Sequence, residues 1–357
     1  MAAMTNDTSA GTQLSSGLLF AIVSATAFGL SGSLARGLLD AGWSAGAVVL
    51  VRLSLGALVV APLAVRALRG RWSAVCKHSG FILLFGALPV AGAQFGYFSA
   101  VQRMDVGPAL LIEYTAPAAV VVWLWLGHGE RPRTLTVAGA GLAAVGLVLV
   151  LDLLSGADLA PLGVFWALFA MVGAASYFVL AAKPRPDLPP VALAGAGLTA
   201  GALVLGALGI VGLLPMDAST ASPSYAVGDA PWWLPLVGLG VITAGFAYCT
   251  GIAASRRLGS RLSSFVALLE VVAGVTFAWL LLDQLPGPLQ LVGGMLIIAG
   301  VIVVKLGERP PTPRPAAITA RARAAGAAWS GSRRFHGGTR GPARARRHRR
   351  ARHRPRA

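Results

Sequence analysis

The sequence predicts an all-α polytopic membrane protein with ten transmembrane helices, arranged as two inverted five-helix repeats. Three observations predict it. The 357 residues are 56% hydrophobic and 12% charged, with a mean hydropathy of +0.72, whereas a soluble domain carries about 25% charged residues. Ten stretches reach the roughly 20 apolar residues that a membrane span needs. The third observation is an internal duplication. Trp125, Glu130, Pro132, Gly139 and Gly146 recur at unchanged spacing as Trp279, Gln284, Pro286, Gly293 and Gly300, the mark of a repeated unit.

The expected spans are roughly 17–36, 44–65, 80–101, 106–127, 134–152, 161–182, 190–214, 233–254, 262–282 and 287–305. A polar segment, 1–16, precedes them. It has no Lys or Arg, so it lacks the basic start of a secretory signal, and the first span is read as retained. Short breakers, GHGERPR and DQLPGP, separate the fourth span from the fifth and the ninth from the tenth. The first repeat is placed at 17–152 and the second at 161–306. Gly17, Phe20 and Ala21 open the one as Gly163, Trp166 and Ala167 open the other.

Loop charge sets the orientation. Arg66, Arg69, Arg71, Lys77, Arg131, Arg133, Lys183, Arg185, Arg256, Arg257 and Arg261 all fall on one side. The other side holds Asp40, Asp105, Asp152, Asp158, Asp217, Asp229 and Asp283, with Arg36 and Arg103 as its bases. Basic loops stay cytoplasmic, which predicts a multi-pass protein of the cell membrane with both termini inside. Five spans per copy is an odd number, so the second copy enters from the opposite face. Inverted repeats of this kind characterise secondary transporters, with the substrate site near the midplane between them. The loop from Pro215 to Pro231 is the longest in the core, and Trp232 and Trp233 close it as an interfacial anchor.

The net charge of +17 belongs to the tail, since half of the 30 Lys and Arg residues follow Glu308. Residues 309–357 are rich in Arg, Ala, Pro and Gly without apolar periodicity, so a disordered cytoplasmic segment is expected. Its readings are a solvated extension or a polybasic contact with anionic lipid. No specific nucleic-acid binding is expected, because Trp329 and Phe335 are too few among the arginines to build a platform for base stacking. Cys76 and Cys249 form no disulfide or metal pattern. Neither a metal nor a cofactor is expected, and nothing resembles a catalytic triad or nucleotide loop. The chain is therefore not read as an enzyme.

Ionisable residues within spans are costly and need a reason. Glu113 lies in the fourth span and Glu270 in the ninth, the equivalent helices of the two copies. Glu113 aligns with Ala267 and Glu270 with Ala116, so the carboxylates differ in register by about one helical turn. Both are expected to face a central cavity, as proton-coupling groups or as sites for a substrate amine. The alternative is a structural role paired with Arg52, the in-span arginine of the second span, which could equally meet a substrate carboxylate. Gln94, Tyr97, Tyr114, Tyr177 and Tyr248 are further candidates for the proton or substrate site, weighed against ordinary interhelical packing. Gly139, Gly146, Gly293 and Gly300 line the fifth and tenth spans, where small residues let helices approach closely. These are candidate helix interfaces, within the chain or in a homodimer.

With these residues in place, the chain resembles the EamA family of the drug/metabolite transporter superfamily over about 17–306. The resemblance rests on ALLIEYTAP at 109–117, WLWLGHGERP at 123–132, AGAGLAAVG at 138–146, ALLE at 267–270, LLLDQLPGPLQLVGG at 280–294 and Arg52. The first and fourth of these look most like threonine/homoserine-type amino-acid exporters. Val271 and Gln284 stand where the family usually has Pro and Glu. The resemblance implies a secondary transporter acting on small molecules, exporting amino acids or related metabolites by alternating access with proton coupling or exchange. The alternatives are efflux of hydrophobic drugs and, in a different class, a channel or a non-transporting membrane scaffold.

Overall fold

The architecture comes from a computed structural model that describes residues 2–116, 134–150, 160–183 and 185–307. The helices are α1 (Ala2–Asp40), α2 (Ala45–Ala67), α3 (Ser73–Lys77), α4 (Ser79–Phe85), α5 (Ala93–Val101), α6 (Val106–Glu113), α7 (Thr134–Val150), α8 (Pro161–Ala181), α9 (Pro190–Ile210), α10 (Trp233–Gly238), α11 (Ala247–Val266), α12 (Leu269–Leu282) and α13 (Pro288–Gly307). Two π-helical stretches join them, Gly86–Gly92 between α4 and α5 and Leu239–Phe246 between α10 and α11. A small antiparallel hairpin pairs β1 (Ser224–Tyr225) with β2 (Gly228–Asp229).

Six of the described helical stretches are long and apolar enough to cross a membrane: Leu14–Asp40, Ala45–Ala67, Ser79–Val101, Pro161–Ala181, Pro190–Ile210 and Trp233–Gly259. Val137–Leu149, Leu269–Leu282 and Pro288–Gly300 are shorter apolar helices. Large apolar side chains such as Leu63, Phe165, Leu203 and Met295 face outward. An apolar exterior on this scale fits a lipid surrounding rather than water. Residues 117–127 of the expected fourth span, the turn at 128–133, the link at 151–159 and the tail lie outside the described residues.

The two expected spans that carry the glutamates are interrupted. α6 stops at Glu113 and gives way to a turn at Tyr114 and Thr115. Pro117 has no N–H for the Glu113 carbonyl, which is reason enough for a break here. The expected span 262–282 is likewise divided, by a turn at Ala267 and Leu268 between α11 and α12. The preceding reversal falls at Gly259, whose φ of 77° and ψ of 168° no side-chain-bearing residue adopts readily. Glu113 thus ends one broken helix, and Glu270 lies in the first turn after the other break.

Contacts recur in matched sets. α1 packs on α11 and α12, as α8 packs on α5 and α6. α2 packs on the second π-helical stretch, as α9 packs on the first, and α2 and α9 pack on each other. Gly17 lies against Arg257 and Leu258, and its counterpart Gly163 against Arg103 and Met104. α7 and α13 pack chiefly on each other through the four glycines. A Cβ on Gly146 would sit 2.5 Å from the Gly293 carbonyl oxygen, and one on Gly300 would sit 2.6 Å from that of Gly139. The early glycine of each helix meets the late glycine of the other, so the pair is antiparallel. Both glycine faces are used within the chain.

One end of the bundle is strapped by the loop between α9 and α10. The Tyr225 hydroxyl donates to the Leu34 carbonyl over 3.0 Å, and its ring lies on Gly37 of α1. The Ala226 amide donates to Leu281 of α12. Ser44, at the N-terminus of α2, donates to the Pro215 carbonyl over 2.8 Å and accepts from the Asp217 amide over 2.9 Å. Trp232 stacks on Trp43.

Candidate functional site

The described residues enclose a cleft with about 600 Å³ of empty space, its open mouth included. It is built from α1, α5, α8, α11 and the two helix breaks. Of the eight candidate residues, Glu113, Glu270, Gln94, Tyr114, Tyr177 and Tyr248 line it, while Arg52 and Tyr97 do not. The aromatic wall also includes Phe28 and Phe178, and Ser24, Ser255 and Ser263 add hydroxyls. Most of this lining comes from the halves of the helices nearest the basic loops: Ala21 to Phe28 of α1, Ala174 to Phe178 of α8, and Tyr248 to Ser255 of α11.

The two carboxylates are set differently. Glu270 accepts a 2.5 Å hydrogen bond from the Tyr114 hydroxyl, across the two repeats. Glu113, 8% exposed, has no hydrogen bond or ion pair among the described residues. A lone ionised carboxylate in such surroundings costs several kcal/mol, so the group calls for a proton or a cation.

Arg52 corrects an expectation. It forms no ion pair with either glutamate among the described residues. Its guanidinium is fully buried, donates to the Gln94 side-chain oxygen and, over 2.7 Å, to the Thr243 carbonyl, and lies 5.2 Å from the Phe98 ring centroid. Thr243 belongs to the second π-helical stretch, where the altered ladder frees carbonyls for outside donors. The arrangement is matched in the first stretch. Pro89, aligned with Thr243 as Gly139 is with Gly293, accepts at 3.4 Å from the Tyr248 hydroxyl. Each π-helical stretch is therefore tied to the other copy. Arg52 also orients Gln94: with the amide oxygen engaged behind the wall, the NH₂ group is turned to the Tyr248 hydroxyl on the cleft lining.

Tyr97 is buried against α1, where the absence of a side chain on Gly32 makes room for its hydroxyl, which has no partner among the described residues. The Tyr177 hydroxyl is also unpartnered and occupies the space left by Gly251 beside Ser24. The sequence reading missed Phe28, Phe178 and the three serines. A helix with aromatic and hydroxyl residues on one face was the available signal, but every face of α1 and α8 is apolar enough to mask it.

Outside the apolar region, an ion pair crosses between the copies at the basic end. Lys77 donates to Asp187 over 3.1 Å, and His78 meets the same carboxylate at 3.2 Å. The two partners hold the Asp187 pKa down to about 2.

A bundle of apolar helices, two of them broken beside acidic groups that line an interior cleft, defines a multi-pass membrane protein with the anatomy of a solute carrier. The chain matches the EamA-like transporter family over residues 15–152 and again over 161–306. It belongs to that family, and so to the drug/metabolite transporter superfamily, whose members are membrane transporters rather than enzymes. No curated protein matches the chain. Among solved structures, one titled "Crystal structure of protein" is 23% identical, with a TM-score of 0.55, and the match covers 80% of this chain and 96% of that one. That likeness concerns the fold alone.

Proposed function

We propose that the chain is a secondary active transporter of the cell membrane, exporting amino acids or related small amine-bearing metabolites by alternating access, with proton coupling or exchange. The observation that carries this reading is the cleft at the two helix breaks, with Glu113 unpaired beside Glu270. Half-helices meeting near the midplane are where secondary transporters bind their solutes. The matched contacts and the antiparallel glycine crossing support two inverted repeats of five spans each.

The cleft is lined from the basic-loop end, and the strap of residues 215–231 closes the acidic end. With basic loops cytoplasmic, both termini lie inside and the described state faces the cytoplasm. Export then proceeds in two half-cycles. A solute amine enters from the cytoplasm, displaces the proton on Glu113, and is released outside after the strapped end opens. A proton taken up from outside resets the carrier. The Arg-rich tail is given the role of resting on anionic lipid at the inner face. Efflux of hydrophobic amphiphiles is the second reading, favoured by Phe28 and Phe178 in the wall.

The test is solute flux against an imposed pH gradient in proteoliposomes. Glu113→Gln keeps the shape and removes the titration, so it should abolish pH-driven flux while inserting at normal levels. Glu270→Gln should weaken flux less, because its carbonyl still accepts from Tyr114. Wild-type rate and pH dependence in Glu113→Gln would return Glu113 to a structural role. Saturable counterflow would separate a carrier from a channel or scaffold.

A further inference from the structure

The charge distribution of the cleft narrows the solute. No Lys or Arg lines it among the described residues. Arg52, buried behind its wall, directs its two terminal nitrogens to Gln94 and Thr243 rather than into the cleft. Two carboxylates and one guanidinium leave this buried cluster at −1 when both acids are ionised. A single positive charge brings it to zero. A zwitterion leaves it at −1, and adds a carboxylate for which the described lining offers no cation, while the Tyr248 and Ser24 hydroxyls already donate to the Pro89 and Ala247 carbonyls. The wall offers ring faces, which attract ammonium groups most strongly when water is excluded.

We propose, resting on the transporter reading above and narrowing its solutes to the related amines in place of the amino acids themselves, that the cleft selects monocationic amines with an apolar or aromatic body and no carboxylate, in exchange for one proton. The Glu113 carboxylate holds either the proton or the ammonium group, and Glu270, held by Tyr114, stays in place as the second acid. The aromatic side chains receive the body of the solute. Occupancy by one proton or one amine, and not both, makes the two compete for the same buried charge.

The experiment uses the purified full chain in nanodiscs and three probes that share a phenyl group: phenethylamine, phenylalanine and 3-phenylpropionate. Calorimetric titration should rank phenethylamine at least about tenfold tighter than phenylalanine, with 3-phenylpropionate weakest, since a single unmatched charge is worth at least that factor. Lowering the pH should weaken phenethylamine by competition. Glu113→Gln should lose the preference, and Glu113→Asp should retain it, which separates loss of charge from loss of fold. Phenylalanine binding as tightly as phenethylamine, no binding by any probe, or an unchanged ranking in Glu113→Gln would each overturn the proposal. Phenethylamine binding in the stated order without flux would sink the transport reading alone. Saturable phenylalanine flux at least as efficient as that of phenethylamine would sink the selectivity alone.

Discussion

The two halves of the molecule share a scaffold and differ in what is attached to it. Both have a π-helical stretch in the third span, a break in the fourth and a glycine face on the fifth. The first copy carries Arg52 in α2, whereas its counterpart α9 has no charged residue. The first has Gln94 where the second has Tyr248, and Glu113 before its break where the second has Glu270 after. The short α3 in one is a seventeen-residue strap in the other. Positions that set helix spacing recur, while positions that face the cleft or close an end diverge. Duplication supplies a two-fold frame, and a carrier that must be open at one end and shut at the other needs its ends to differ.

Arg52 is the sharpest divergence and should produce the largest effect. Arg52→Met removes two charge-assisted hydrogen bonds and leaves Gln94 and the Thr243 carbonyl without their donor. About 3 kcal/mol of stability should be lost, read as a lower melting temperature and a poorer monodisperse yield in detergent. A volume-conserving change in the counterpart helix, Leu198→Met, should cost under about 1.5 kcal/mol. Equal losses at the two sites would erase the distinction drawn between α2 and α9.

The glycine crossing tests the shared frame instead. A methyl group at Gly146 would also approach the Ile297 amide nitrogen to 2.8 Å, and one at Gly300 the Ala143 nitrogen to 2.6 Å. Backbone atoms cannot rotate away, so Gly146→Ala and Gly300→Ala should each cost about 1–3 kcal/mol, nearly equally. The leucine variants should fail to yield folded protein. A tolerated Gly300→Ala beside a damaging Gly146→Ala would show that the crossing is not two-fold in energy. A change in solute preference at normal abundance would show that this helix pair is more than scaffold.

How much of this was legible follows from what each contact uses. The glycine crossing was legible because a side-chain absence at fixed spacing is written in the sequence. The carboxylates were legible because acids in apolar runs stand out. The partners of Arg52 were not. One is a backbone carbonyl freed by a π-helical stretch, and no residue type announces that. The first helix break had a sign in Pro117, four residues beyond Glu113. The second had none, since 262–282 contains no proline and Ala267-Leu268 favours helix. Residues 262–266 accordingly belong to the short helical segment between the Gly259 reversal and this turn rather than to the helix that bears Glu270.

The strap is present in the second copy alone, so its loss should touch one end of the bundle. Tyr225→Phe removes the hydrogen bond to Leu34 while keeping the ring on Gly37. A loss of about 1 kcal/mol is expected. A cysteine placed at Ser222 should also become easier to label from the acidic side in this variant. Unaltered labelling would mean that the strap holds without Tyr225.

The smallest effect belongs to the contact at the opposite end, where Asp187 of the second copy meets Lys77 and His78 of the first. The Asp187 side chain is about a third open to solvent and Lys77 more so, so screening keeps the worth of the contact at neutral pH low. Its signature is the pH dependence. The folded pKa of about 2 lies below the unfolded value of about 3.9. A depressed carboxylate stabilises the fold fully above the unfolded value. That contribution fades as the pH falls from about 4 towards about 2, and is absent below. Asp187→Asn has no proton to take up there, so its melting temperature should fall less steeply than the native chain's across that window. Parallel curves would show that Lys77 and His78 do not hold the carboxylate. The basic end would then be joined between copies by helix packing and by the stacking of Arg185 on Phe81 and Arg257 on Phe20, and the contrast with the strapped end would be larger than drawn here.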